Sequence, residues 1–439
     1  MPKVTFLSKH YDREIFVLAL PALGALAADP LVSLVDTAFV GRLGALPLGA
    51  LGVNASLFSL AFFVFNFLAY GTTPLVGRAV GRGDVAAAGR VINQALVLAV
   101  GLGLLALVLL ELSARPLLVL MGATTELQDP ALSYLRIRAL AAPAVLIITA
   151  ANGAFRGFQD TRTPLVITLW LNAINLVLDP LLIFGLGWGI AGAAIATTVA
   201  QWTGALLFLR QLLITKREVF GITPELPPLA SLLPFLKIGW DLFVRTFALI
   251  ITLTLATAIA TRLGVLQVAA HQVAAQLWLF LALTVDALAI AAQALVAKYL
   301  GESKGNEARA VANRLLFLGL LVGAALGVAF WLLRPVLPRF FTTDETVIAT
   351  VLELFIFIAF MQPLNALVFV WDGIFVGRED FGYLAKAMLV SSLTACALLF
   401  LVIPLGWGLT GVWWAIVVFM LMRALTLALR YWRTTPDAA

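Results

Sequence analysis

The sequence predicts an all-α polytopic membrane protein: twelve transmembrane helices in two six-helix lobes related by a pseudo-twofold axis along the membrane normal. Three observations carry this expectation. The 439 residues are 62% hydrophobic and only 12% charged, which is about half the charged share of a soluble domain. The apolar residues gather into twelve stretches, each close to the ~20 residues that cross a hydrocarbon core of about 30 Å. The second half of the chain also repeats the first at an offset of 220 residues.

Charged or Gly/Pro-marked breaks centre the stretches near residues 27, 61, 101, 144, 175 and 201, then 248, 281, 321, 361, 394 and 420. The first follows the polar stretch MPKVTFLSKHYDRE and contains no small-residue cleavage site, so it reads as a retained helix rather than a signal peptide. Pro21, Gly24 and Pro30 leave carbonyls of that helix unpaired and make it easy to bend. Asn54 in the second stretch and the pair Thr197-Thr198 in the sixth lie at comparable depths from the outer side. The fifth, 169-LWLNAINLVLDPLLIFGLG-187, is interrupted by Asn172, Asn175, Asp179 and Pro180. A polar, Pro-rich stretch, 214-ITKREVFGITPELPPLAS-231, suits a cytoplasmic connector. It divides the chain into a lobe over 1–213, a linker over 214–233 and a lobe over 234–439.

In the second half, Asp241 and Arg245 stand four residues apart with the acid first, the favourable order for a structural ion pair on one helix. His271, near the outer loop before the eighth stretch, reads as solvated, with no second ligand at metal spacing. Asp372 falls near a cytoplasmic end. Cys396 is the only cysteine, which excludes an intramolecular disulfide and a cysteine metal cluster. No metal or cofactor is implied.

The formal charge of +6 might suggest an acidic partner, but its distribution points to topology instead. With the amino terminus inside, inner segments hold 21 of the 29 Lys and Arg residues and outer segments hold 7, including Arg136 and Arg138. That asymmetry is the positive-inside pattern, so no nucleic-acid partner is expected and both termini are placed in the cytoplasm. The plasma (inner) membrane is the expected location, and a monomer the expected state.

The repeat is ordered along the whole chain. Arg42-Leu43-Gly44 meets Arg262-Leu263-Gly264, Pro143 meets Pro363, and Gly153, Gly157 and Asp160 meet Gly373, Gly377 and Asp380. After a one-residue slip, GWGIAG at 187–192 parallels GWGLTG at 406–411. Six helices per copy is an even number, so both copies enter the membrane from the same side, an arrangement common among transporters that rock two lobes about a midplane site.

Departures from the repeat mark candidate chemistry. Asp36 has Ala256 as its mate, and Asp179 falls opposite Leu398 or Leu399. Each precedes an outer-loop glycine, Gly44 or Gly187, by eight residues, or roughly 12 Å of helix, so the two acids share a depth. Asn175 precedes Asp179 by one turn and shares its face. A carboxylate at this depth costs roughly 2.5–3.5 kcal/mol and is functional by default, although capping of backbone broken at Pro30 and Pro180 is the structural alternative. Asn175 or Thr198 taken alone would be helix-packing glue. Asp29 precedes Asp36 by two turns and points to nearly the same side.

The patterns LALPALGALAADPLVSLVDTAFVGRLG and NAINLVLDPLLIFGLGWGIAGAAIAT, with GAFRGFQDTRTPL at 153–165, resemble the multidrug and toxic compound extrusion (MATE) transporters, specifically the DinF-like branch. The resemblance implies an antiporter, not an enzyme, that exports organic and often cationic compounds in exchange for protons or sodium. Carried over residue by residue, it makes Asp36 the proton-coupling carboxylate, with Asn175 and Asp179 completing the cation or proton site. Asp29 lies outside the motif. Two carboxyls in one desolvated pocket raise each other's proton affinity, as such an exchange requires.

Rival readings fare less well. The sodium-coupled branch of the family places acids in the carboxy-terminal lobe, where Asp241 and Asp372 match its pattern poorly. A lipid or glycolipid flippase should line its cleft with basic residues, and apart from Arg245 the helices offer almost none. An intramembrane aspartyl protease would need a Gly-x-Gly-Asp element, but 81-GRGD-84 lies in an Arg-rich loop. The topology is open to direct test: single cysteines at Gly83, Thr161, Thr223 and Lys304 should be labelled from the cytoplasm, and those at Gly187 and Thr343 from outside. Labelling of Gly83 from outside intact cells would invert the orientation.

Overall fold

A computed structural model describes residues 9–121, 124–223 and 225–434. In chain order the helices are α1 (Asp12–Gly41), α2 (Ala45–Phe63), α3 (Phe67–Gly81), α4 (Val85–Leu120), α5 (Thr125–Ala139), α6 (Ala142–Gly157), α7 (Arg162–Pro180) and α8 (Gly189–Arg210). The four-residue α9 (Arg217–Phe220) lies in the linker. Then come α10 (Leu233–Leu263), α11 (Val265–Gly301), α12 (Gly305–Leu333), α13 (Glu345–Phe360), α14 (Gln362–Gly377), α15 (Phe381–Val402) and α16 (Gly408–Arg433). No strand occurs among the described residues.

Among the described residues, ten helical spans are long and apolar enough to cross a bilayer, with α2 and α3 forming one of them, Ala45–Gly81. The pairs α5–α6 and α13–α14, bent by 48° and 49°, bring the number to twelve, as the sequence predicts. Both bends have the same cause. Pro143 and Pro363 occupy the first turn of α6 and α14, where a residue without an N–H can start a helix but cannot continue one. The halves differ at the second span: a 3₁₀ turn at Val64–Asn66 separates α2 from α3, whereas α11 runs unbroken for 37 residues.

The chain forms two compact units. One is Leu20–Gly239; the other joins the segment ending at Ala19 to the chain from Trp240 onward. The boundaries cut α1 and α10 at positions 220 residues apart, so α1 before Pro21 packs with the carboxy-terminal unit and α10 up to Gly239 packs with the amino-terminal one. Asp12 makes this concrete, accepting two hydrogen bonds from Arg314, from Nε at 2.7 Å and from Nη2 at 2.8 Å.

Inside each unit the helices are locked at matched glycines. A Cβ added at Gly103 would fall 2.4 Å from the Cα of Pro143, and one at Gly323 would fall 2.9 Å from the Cα of Pro363. Cβ atoms at Gly153 and Gly373 would meet the carbonyl oxygens of Ala69 and Ala289 at 2.8 and 2.4 Å. Thus α6 packs on α3 and α4, and α14 on α11 and α12, at backbone distance, the small-residue packing that membranes favour. The repeated glycines in the sequence are the two copies of this seam.

The linker is docked rather than free. Asn93 of α4 donates to the carbonyls of Thr223, at 3.3 Å, and Glu225. Lys216 bridges to Asp160 at 3.0 Å. Burial pushes the Asp160 carboxyl up, but hydrogen bonds from Thr163 and Lys216 outweigh it and hold the group below the usual carboxylate range. A Gly373→Val change should abolish a folded, monodisperse protein in size-exclusion chromatography, since the obstructing atoms are backbone. Gly101→Val, where nothing lies within 4 Å of the added Cβ, should leave the elution profile unchanged.

Candidate functional site: a polar cavity in the amino-terminal unit

The unit Leu20–Gly239 encloses a cavity of about 540 Å³ walled by α1, α2, α5, α6, α7 and α8. Helical spacing explains its polar side. On α1, Asp29, Ser33 and Asp36 recur at i, i+4 and i+7; on α7, Thr168, Asn172 and Asn175 do the same, and all six line the cavity. The two stripes touch at two places. Asn172 donates to Asp29 Oδ1 at 3.1 Å. One turn further along α7 and two along α1, the Asn175 amide nitrogen donates to both Asp36 oxygens, at 3.1 and 3.3 Å, when the amide is oriented by its neighbours. The other arm of that amide lies 3.3 Å from the Thr197 hydroxyl.

Asp179 sits one turn beyond Asn175, fully buried, with its carboxyl beside that of Asp36. Among the described residues its Oδ1 has no hydrogen-bond partner. Two carboxyls can share a hydrogen bond only if one of them carries a proton, which makes this pair a candidate for holding and exchanging one. Pro180 follows at once and cannot give an N–H to the carbonyl one turn back; the helix widens into a π turn over Leu181–Gly185, against which Gly192 packs so closely that a Cβ there would fall 2.8 Å from the Leu182 carbonyl.

Some of the residues expected here lie elsewhere. Asn54 is buried outside the cavity, donating to the carbonyls of Ala50 at 2.9 Å and Ala131 at 3.0 Å, and Thr198 donates to the carbonyl of Ile137 at 3.1 Å. Both tie helices to α5 and act as packing glue. Pro21 and Pro30 are carried within one continuous α1, and the chain passes from one unit to the other one residue before Pro21; Gly24 leaves room for Leu165, 3.1 Å from a Cβ built there.

Other residues line the site unannounced. Arg138, which the sequence places in an outer segment, is in the last turn of α5 and lines the cavity. It donates to Gln201 Oε1 at 2.9 Å, stacks 5.4 Å from the Phe58 ring centroid, and its charge acts on Asp36. Tyr134, one turn before it, also lines the wall. The available signal was Pro143: it bends the fourth span, so the Arg-containing segment before it belongs to the membrane-crossing pair rather than to a loop.

The family model MatE matches the chain twice, over residues 21–181 and 242–401, once in each half. The chain belongs to the MatE family, the multidrug and toxic compound extrusion transporters. The Arabidopsis thaliana protein DETOXIFICATION 44, chloroplastic, is 38% identical over 422 residues, covering 93% of this chain and 80% of its own length. The DNA damage-inducible protein F of Escherichia coli K12 is 28% identical over 431 residues, covering 96% and 93%. A crystal structure of a MATE in the bent conformation superposes with a TM-score of 0.89 at 20% identity, covering 98% of this chain and 96% of the other, a likeness of fold.

The carboxy-terminal unit of this MATE transporter holds its acid differently. Asp372 of α14 accepts from Arg245 Nη2 at 2.7 Å and from Arg423 of α16. The i, i+4 expectation for Arg245 is therefore corrected: among the described residues it reaches Asp372 across helices, and no ion pair joins it to Asp241, which lies near Gly382. A guanidinium inside the bundle goes to the carboxylate it can meet in a buried setting, not to the nearest in sequence. His271 is likewise corrected from solvated to buried, because it lies in the second turn of α11 on an inward face. Its Nε2 lies 3.2 Å from the Thr257 hydroxyl and its ring meets Trp413 edge-on. Among the described residues no cluster of three His, Cys, Asp or Glu could hold a metal.

Removing Asp372 should be the damaging change in this unit. Asp372→Asn leaves two buried guanidiniums facing each other and should lower the melting temperature of detergent-purified protein, by about 3–5 kcal/mol of stability. Asp241→Asn should leave it unchanged.

Proposed function

We propose that this chain is an antiporter that exports organic, cationic or amphiphilic compounds in exchange for protons, with Asp36 and Asp179 as one proton-exchanging unit and Asn175 as the amide that orients Asp36. The observation that supports it is the meeting of two carboxyls, Asp36 at the wall of the 540 Å³ cavity and Asp179 buried behind it. That volume falls within the roughly 300–1,000 Å³ typical of drug-sized ligand pockets. A pair that holds one proton and can take a second changes the charge of the cavity by one unit per cycle, which is what exchange for a cation needs. The relative named for detoxification agrees with this reading. The proposed setting is the plasma (inner) membrane with both termini cytoplasmic, and a monomer suffices because one chain supplies every cavity residue.

Coupling to sodium through the carboxy-terminal unit is disfavoured by one observation: Asp372 is already neutralised by two guanidiniums. A pyrophosphate-type flippase is disfavoured by the two acids that share the cavity wall with Arg138.

In proteoliposomes given a pH jump without sodium, the wild-type protein should transport ethidium. Asp36→Asn should fold, insert and lose this transport to the level of empty liposomes, since it cannot exchange its proton. Asp179→Asn should do the same, and the double variant should add little, as expected of one coupled unit. Wild-type rates from Asp36→Asn at normal expression would refute the assignment, and transport that requires sodium would replace the proton as the coupling ion.

A further inference from the structure

We propose that Asp29 recognises the positive charge of the exported compound, a monovalent organic cation, while proton exchange stays on the Asp36–Asp179 pair; this rests on the antiport reading above. The two functions would then sit on one face of α1, two turns or about 10 Å apart.

The partners of the acids separate them. Asp36 has Asn175, Asp179 and the charge of Arg138. Asp29 accepts a hydrogen bond from Asn172, and among the described residues no Lys, Arg or His lies within 4 Å of it. Every charged or titratable group of the cavity can be named: Asp29 and Asp36 from α1, Tyr134 and Arg138 from α5, and behind Asp36 the carboxyl of Asp179 from α7. The walls from α2, α6 and α8 add only apolar, hydroxyl and amide groups.

With one proton shared, the Asp36–Asp179 pair carries a single negative charge, which Arg138 offsets. Asp29 is then the negative charge left over. A cation resting there would be neutralised, with apolar wall from Phe58, Leu51, Ile148 and Leu171 for its body. Because Asn172 donates to Asp29, the carboxylate is held in place before the ligand arrives, which reduces the ordering cost of binding.

This separation also supplies coupling without competition for one carboxylate. A second proton on the pair removes a negative charge about 10 Å from the bound cation, and at an effective dielectric near 20 that weakens binding about tenfold. Proton loading would therefore favour cation release, and cation binding would favour proton loss, by the same factor.

The test is equilibrium binding of ethidium and of tetraphenylphosphonium to the full chain in nanodiscs, at alkaline and mildly acidic pH. Asp29→Asn should weaken both about tenfold or more at alkaline pH while leaving the midpoint of the pH profile in place. Asp29→Glu should recover most of the affinity. Asp36→Asn should instead flatten the pH profile. A wild-type dissociation constant in Asp29→Asn overturns the proposal, and so does a lost or shifted pH profile with alkaline affinity intact, which would make Asp29 a proton carrier. If Asp29→Asn does not fold, Asp29→Ser replaces it under the same criteria. Failure of the antiport reading looks different: wild-type protein that binds both cations but does not move them under a pH gradient.

Discussion

In the interior of a membrane bundle a polar group is solvated only by what the protein itself provides, and this constraint sorts the polar residues of the chain. Asn54 and Thr198 spend their hydrogen bonds on neighbouring carbonyls, so they belong to the scaffold. Asp372 receives two guanidiniums, so its charge is stable and unavailable. Asp36 and Asp179 receive an amide and each other, so the charge of the pair depends on a proton. Asp29 receives one amide. Three environments for a carboxyl inside the bundle thus lie within one chain, and the chemistry each can perform follows from the partner it lacks.

The duplicated scaffold makes these differences possible. Glycine seams at Gly103, Gly153 and Gly157, and their mates at Gly323, Gly373 and Gly377, hold the same three-helix packing in both units. Because that framework needs no particular residue on α1 or α7, one copy is free to carry Asp36 and Asp179 where the other carries Ala256 and a leucine.

The helices, the repeat and the depth of the acidic pair were legible in the sequence because they follow from hydropathy and fixed spacing. Asn175 on the face of Asp179 followed from one-turn arithmetic, and its place with Asp36 from the family resemblance. What spacing could not show was which helices meet. Arg245 went to Asp372 on α14 rather than Asp241 on its own helix, and His271 turned inward although it stands near a loop. Arg138 was misplaced because a charge count assigns it to a loop, while the bend after it decides that it lines the cavity. Each error concerns a basic side chain whose partner lies on another helix, a contact that local sequence does not encode.

The division of α1 after Ala19 bears on how such a chain assembles. Its first two turns are synthesised before the helices they pack against, yet Asp12 is held by Arg314, separated from it by 302 residues, and Glu14 by Lys298 and Tyr299. Lys298 and Tyr299 come at the end of the second span after the linker, and Arg314 in the third. The amino-terminal unit can therefore close around its cavity early, while the start of α1 waits for the helices of the other unit. Completion of the second half is thus recorded on α1, whose first turns find their place after helices that follow them in the chain.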